Sequence, residues 1–156
     1  ERIGAEFPVN VPTHVNAILE FEAGGTSSSI FSWESALTRM GVVEITGTEG
    51  TLAIPDPNMF EGPLRILRAP TASHPEPEWE DLPTEGVVGG RGLGIVDMVR
   101  GIRSGQPHRA TGEIGLHVLE TMIAIDTSVA SGESVAVTSR IERPEPIPAE
   151  WTPYEL

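Results

Sequence analysis

Residues that could do chemistry are scattered in this 156-residue sequence, and its abundant carboxylates show no pairing that the sequence alone can establish. Its four histidines are far apart and show no close metal-ligand spacing such as H-x-x-x-H. The absence of cysteine excludes disulfides, thiolate metal sites and a cysteine nucleophile. The serines at Ser27, Ser28 and Ser29 lack the G-x-S-x-G frame of a nucleophile elbow. We therefore expect no metal and no catalytic residue in this chain.

A glycine-rich stretch at residues 89–94 invites a phosphate-binding interpretation. The dinucleotide fingerprint requires a third glycine three residues after Gly94, and Asp97 stands there. It also requires a preceding buried strand, whereas a proline-rich segment precedes this one. The stretch therefore predicts a glycine-rich entry into a helix, without a cofactor-binding residue.

The segment from Ser35 to Gly41 is predicted to join two strands and holds Arg39 among small and apolar residues. A guanidinium offers a planar fork of donors that suits hydroxyls or a carboxylate. A solvated loop arginine is the simpler interpretation, because exposed arginine is common. The residues alone leave both interpretations open.

Alternating apolar residues and turn signals indicate two hairpins and one further strand before any helix. The predicted strands are Thr13–Glu22, Thr26–Glu34, Val42–Thr46, Thr51–Ile54 and Leu64–Leu67. Apolar residues on both sides of the first hairpin predict that both of its faces are covered. Those residues are Ile18 and Ile30 on one side, and Leu19 and Phe31 on the other.

Helical spacing appears only in the second half of the chain. Val96, Val99 and Ile102 share one stripe, which Gly105 ends. A second helix begins at a Thr111 cap and stops at Gly132. Its apolar face comprises Val118, Leu119, Met122, Ile125 and Val129. A last strand is predicted at Val135–Ser139. The element order predicts one α+β domain over residues 1–156, with an open, mostly antiparallel sheet and helices packed on one face.

The net charge of −13 limits the classes of partner. The ten basic residues are all arginine and form no cluster, which excludes a nucleic-acid partner. An anionic membrane surface would repel the chain, and no apolar run approaches the ~20 residues of a membrane span. We expect a cytoplasmic protein.

The string V-E-I-T-G-T-E-G-T-L at Val43–Leu52 resembles the E-I-x-G-T-E-G-x-L hairpin of the glucose–fructose oxidoreductase and inositol dehydrogenase (Gfo/Idh/MocA) family. Other segments fit the same pattern in the same order, and the match covers most of Pro12 to Pro148. These segments are Leu19–Gly24, Pro55–Asn58, Arg91–Gly94, Ile102–Gly105 and Pro107–Ala110.

The resemblance implies the C-terminal domain, for substrate binding and oligomerisation, of an NAD(P)-dependent oxidoreductase acting on a sugar, inositol or related polyol. NAD or NADP would bind the N-terminal half, which this sequence lacks. The family's proton relay uses an Asp and a His four residues apart, and this sequence has neither that spacing nor any lysine. The fragment is therefore expected to be inactive and to hold no cofactor. By position, the family places substrate contacts near Trp33, Glu34 and Arg39.

Two other functions stay open at this stage. The chain is either a non-enzymatic homodimeric interaction domain that pairs through its open sheet, or a carbohydrate-binding domain. In the second case Trp33, Trp79 and Trp151 are the aromatic residues available to stack on a sugar ring.

Overall fold

The computed structural model describes residues 4, 6, 8–35, 43–86 and 89–154. The chain divides into two compact units, one within Glu1–Thr38 and one within Arg39–Leu156. This division does not test the expected single domain over residues 1–156, which stays a prediction.

The first unit contains one antiparallel hairpin. Strand β1 (His14–Glu20) pairs with β2 (Thr26–Ser32), with His14 opposite Ser32 and Glu20 opposite Thr26. The predicted alternation is confirmed, because Ile18 and Ile30 lie on the face opposite to Val15 and Phe31. Ile18, Ile30 and Phe31 are exposed, so the hairpin leaves apolar side chains uncovered on both faces.

The second unit contains a four-stranded antiparallel sheet in the order β3-β4-β5-β6. Its strands are Val43–Gly47, Gly50–Ile54, Leu64–Arg68 and Glu80–Leu82. Pairing places Ile45 opposite Leu52, and Leu52 opposite Ile66, so these side chains share a face. The apolar residues of that face, called the apolar sheet face below, are Val43, Ile45, Leu52, Ile54, Leu64, Ile66 and Leu82. Arg68 and Glu80 lie on the same face and form an ion pair across β5 and β6 at 3.4 Å.

The opposite face of the same sheet is polar. Thr46 and Thr51 face each other across β3 and β4 with their hydroxyl oxygens 3.0 Å apart. Arg65 and Asp81 form an ion pair across β5 and β6 at 3.8 Å. One face of the sheet is therefore suited to water, and the other requires an apolar neighbour.

Two helices follow the sheet, and their ends confirm the sequence signals. Helix α1 (Leu93–Ser104) ends at Gly105 and helix α2 (Gly112–Ser131) ends at Gly132. Both glycines have left-handed backbone, with φ of 69° and 73°. The Thr111 hydroxyl accepts the Ile114 N–H at 3.4 Å, as expected for an N-cap.

Each helix leaves large apolar side chains exposed. Helix α1 buries Asp97 and Gly101, and it exposes Ile95 and Ile102. In α2, polar side chains are half-buried against the segment that follows the helix, whereas most of the predicted apolar face is exposed. The exposed apolar residues of α2 are Leu116, Val118, Leu119, Met122, Ile123 and Val129. Ala124 is the only buried hydrophobic residue in the part of the chain that the structure describes.

The predicted strand at Val135–Ser139 is wrong, because these residues pair with no strand. The N–H groups of Thr138 and Ser139 donate to the Glu120 carboxylate instead, at 2.7 and 2.9 Å. A side chain thus satisfies backbone donors that a neighbouring strand would otherwise satisfy.

The predicted α+β class with open antiparallel sheets is confirmed, with the strands in two sheets. Among the described residues, no helix has the length and apolar character needed to cross a membrane.

Candidate functional site

Two of the three predicted substrate contacts lie together at the end of β2. The Trp33 N–H donates to the Thr13 carbonyl at 2.8 Å, and the Thr13 hydroxyl donates to the Glu34 carboxylate at 2.5 Å. These bonds close the open end of the hairpin and hold Glu34 in place. The Trp33 side chain is free to contact a ligand, because the residue is 92% exposed. Arg39 lies outside the described residues.

The side chains of this pair have the chemistry to recognise a sugar. An exposed indole can stack on the apolar face of a sugar ring, and a carboxylate can accept hydrogen bonds from ring hydroxyls. The roles of Trp33 and Glu34 as substrate contacts stay predictions.

An open groove of about 400 Å³ lies on the hairpin. Neutral side chains line it, and neither Trp33 nor Glu34 is among them: Asn16, Ala17, Ile18, Ser28 and Ile30. The Asn16 amide and the Ser28 hydroxyl are its polar groups, beside two isoleucines. The groove is shallow and open to solvent, so by its shape alone it does not define a ligand site.

The glycine-rich stretch enters a helix, as predicted. Gly92 has left-handed backbone with φ of 98° and precedes α1 without a side-chain cap. The Arg91 guanidinium donates to the Asn58 side-chain oxygen at 2.9 Å, so this arginine joins the helix entry to the turn after β4.

A carboxylate and an arginine form the most enclosed polar contact among the described ion pairs. The Asp97 carboxylate accepts the Arg109 backbone N–H at 2.7 Å and its guanidinium Nη1 at 2.5 Å. Their side chains are 11% and 29% exposed, respectively. A carboxylate paired in this way is a structural group, because its oxygens already accept charge-assisted bonds.

A second polar cluster joins α2 to the segment after it. Glu120 accepts hydrogen bonds from the Ser139 hydroxyl and from the backbone and hydroxyl of Thr138, which lowers the pKa of Glu120 to about 2. His117 Nδ1 lies 2.8 Å from the Ser139 oxygen. The tautomer of the His117 ring decides which of these two groups donates to the other.

The arrangement of these three groups differs from a catalytic triad. In a Ser-His-acid triad the histidine lies between serine and carboxylate. Here Ser139 bonds to both other residues, through its hydroxyl oxygen to His117 and through its backbone N–H to Glu120. The cluster of Glu120, Ser139 and His117 therefore joins α2 to the segment that follows it.

Neither polar cluster was predicted, because each joins residues from separate elements. One signal was present for the second cluster: His117 and Glu120 are three residues apart on α2 and so share a side of the helix. The sequence offered no comparable signal for Asp97 with Arg109.

Within residues 4, 6, 8–35, 43–86 and 89–154, no three histidine or acidic side chains group as a metal site would require.

Comparison of this chain with protein-family models, with curated proteins and with solved structures finds no match in any of the three. The family resemblance therefore rests on the sequence motifs alone.

Proposed function

We propose that this chain is the substrate-binding and dimerisation domain of an NAD(P)-dependent oxidoreductase of the Gfo/Idh/MocA type that acts on a sugar, inositol or related polyol. The observation that carries the proposal is the hairpin β3–β4. Its G-T-E-G turn is the most specific motif of the resemblance, and it connects paired strands in this structure. We place the protein in the cytoplasm.

The role of this domain in the reaction would be positioning. The nicotinamide cofactor, bound to the N-terminal half, performs the hydride chemistry, and the protein orients the reacting carbon against it. Trp33, Glu34 and Arg39 are the proposed substrate contacts, with Trp33 stacking on the ring and Glu34 accepting from a hydroxyl. This chain by itself would be inactive.

Exposed apolar side chains support the dimerisation part of the proposal. Ile45 on the apolar sheet face and Met122 on α2 are each 55% exposed. Contiguous uncovered apolar surface is typical of an interface between proteins.

A second candidate is a carbohydrate-binding or interaction domain without catalysis. The nearly complete exposure of Trp33 favours it, since such a side chain is available for stacking. Trp151 does not favour it, because the Arg100 guanidinium lies 4.6 Å from the centroid of its ring. This is the weaker proposal, because neither Trp33 nor any other aromatic side chain among the described residues lines the groove on the hairpin.

Calorimetry with NAD and NADP tests the cofactor part. We expect no binding by this chain, and a low-micromolar dissociation constant would contradict the proposal. The full reading frame of the gene should encode an upstream G-x-G-x-x-G, a lysine motif and an Asp-x-x-x-His relay.

Kinetics of the enzyme encoded by that reading frame test the substrate contacts. Trp33→Ala should raise KM for the sugar or polyol more than it lowers kcat, and Trp79→Ala should change neither. Sugar binding by this chain alone that depends on Trp33 would favour the carbohydrate-binding alternative.

A further inference from the structure

Residues 144–152, called the tail below, lie against helix α1 and the turn after it. Prolines at Pro144, Pro146 and Pro148 alternate with other residues, and the backbone forms no strand or helix through Pro148. Proline fixes its own φ and removes an N–H, so such a segment stays extended without internal hydrogen bonds. Its carbonyl groups then need donors from elsewhere.

Arg109 supplies two of these donors. Its Nε donates to the Glu145 carbonyl at 2.9 Å, and its Nη2 donates to the Pro146 carbonyl at 3.1 Å. Its third donor, Nη1, binds Asp97 at 2.5 Å. The half-buried guanidinium is therefore oriented by a nearly buried carboxylate and presents its remaining edge to consecutive carbonyls of the tail.

Arg100 holds the other end of the tail. Its Nη2 donates to the Thr152 carbonyl at 2.5 Å, and its guanidinium lies 4.6 Å from the Trp151 ring centroid. A guanidinium at this distance from an indole makes a cation–π contact. Arg100 and Asp97 are three residues apart on α1, so both arginines act on the same side of the helix.

We propose that Arg100 and Arg109 form a recognition site for an extended, proline-containing segment with an aromatic residue near its end, and that the tail is its ligand within the same chain. The arginines bind main-chain carbonyls and one ring, and neither forms an ion pair with a side chain of the tail. The tail can leave this site without breaking any backbone hydrogen bond of α1. A second segment of the same chemistry can therefore replace it. This proposal is independent of the proposed oxidoreductase function.

Covalent attachment of the tail to the rest of the chain raises the occupancy of the site. The cluster at Glu120 fixes Thr138 and Ser139, so a short linker leads to the first contact at Glu145. A short flexible tether gives an effective concentration in the millimolar range. A free peptide must reach similar concentrations to displace the tail.

Trp151 fluorescence in the full chain tests the proposal. In a Trp33→Phe, Trp79→Phe background Trp151 is the only tryptophan. We add an end-blocked peptide of residues 142–153 that carries Trp151→Phe and measure acrylamide quenching of the protein. Acrylamide quenching of Trp151 should increase as peptide is added and should reach a plateau at millimolar peptide. At the plateau it should be close to the quenching measured for a free tryptophan-containing peptide. A peptide of the same composition in scrambled order should leave quenching unchanged.

Two variants show whether the arginines are responsible. Arg100→Gln should give high quenching before any peptide is added and no further change with it. Arg109→Lys, which retains a charge beside Asp97 but loses the fork, weakens the site for the tail and the peptide alike. It should raise quenching before any peptide is added and should not lower the peptide concentration needed for displacement. Arg103→Gln, on the same helix, is the matched control and should behave as the parent background. Quenching that does not respond to the peptide, or that is unchanged in Arg100→Gln, would overturn the proposal.

Discussion

Asp97 and Arg109 are spaced twelve residues apart in the sequence and meet across the turn between α1 and α2. Asp97→Ala leaves the Arg109 guanidinium and backbone N–H without their acceptors in a partly buried place. We expect it to lower the free energy of unfolding of the second unit by about 2–3 kcal/mol. Urea unfolding followed by far-UV circular dichroism measures this change.

The matched control for Asp97→Ala is Asp81→Ala. Its ion pair with Arg65 is longer, at 3.8 Å, and its side chain is 80% exposed. Exposed pairs contribute ~0–1 kcal/mol. Equal effects of the two substitutions would mean that enclosure does not strengthen the pair at Asp97.

The lowered pKa of Glu120 predicts that the free energy of unfolding decreases in acid. Hydrogen bonds from Ser139 and Thr138 lower its pKa from 4.5 to about 2 in the folded chain. Because the folded pKa lies below the unfolded one, the stabilisation is fully present above pH 4.5 and is lost as the pH falls toward about 2. Glu120→Gln should be less stable at neutral pH and should lose less stability on acidification.

Carboxyl-carbon NMR shifts measure this directly, with a midpoint expected at about pH 2 for Glu120. Melting temperatures of the parent chain and Glu120→Gln across the same pH range provide the stability readout. Glu133→Gln, an exposed glutamate just past the helix, should melt as the parent chain does. A Glu120 midpoint at 4.5 would show that the hydrogen bonds do not persist in solution.

At the scale of elements, the geometry of the turn between β3 and β4 predicts which of its glycines can be replaced by alanine. Gly50 has φ of 150°, and a Cβ at this position would lie 2.3 Å from the Leu67 carbonyl oxygen on β5. Gly50→Ala should therefore separate β4 from β5 at this point and cost about 3 kcal/mol of stability. Equilibrium unfolding in urea checks the cost.

Gly47, at the other end of the same turn, is the control. A Cβ there meets no atom within 4 Å. Gly47→Ala should therefore cost far less than Gly50→Ala. If Gly47→Ala and Gly50→Ala lower the free energy of unfolding equally, the close approach of β5 to Gly50 is absent in solution.

Local signals predicted most of the elements, and the failures lie where distant segments meet. Strand β6 (Glu80–Leu82) was not predicted, because it forms only by pairing with β5. The positions of Thr111, Gly105 and Gly132 predicted three helix ends, because capping depends on a few neighbouring residues. The strand predicted at Val135–Ser139 failed because a strand requires a partner, and apolar alternation cannot show which group takes its N–H donors. The contacts of Asp97 and Glu120 were missed for the same reason.

The candidate site was predicted only in part. Position in the family pattern indicated Trp33 and Glu34, and the hairpin holds both at its end. The sequence could not indicate that Thr13 holds Glu34, since that bond depends on the register of β1 and β2. The tail contacts of Arg100 and Arg109 also depend on tertiary approach, which no local spacing encodes.

At the scale of the whole molecule, the chain combines a large uncovered apolar surface with a net charge of −13. Burial of apolar area favours association, whereas two copies of like charge repel each other. Salt screens that repulsion with a Debye length of about 8 Å at physiological ionic strength. The proposed homodimer should therefore become tighter as salt is added, which light scattering at several protein concentrations can measure.

Neighbouring residues on β3 can identify the face that pairs. Ile45 lies on the apolar sheet face and is 55% exposed, whereas Glu44 lies on the polar face. Ile45→Lys places a charge within the proposed interface and should convert the dimer to monomer, although it makes the net charge less negative. Glu44→Lys makes the net charge less negative by twice as much and should leave the dimer intact or tighten it. If Glu44→Lys dissociates the dimer and Ile45→Lys does not, the interface lies on the polar face. If the parent chain is monomeric at high concentration, the dimerisation part of the proposed function is wrong.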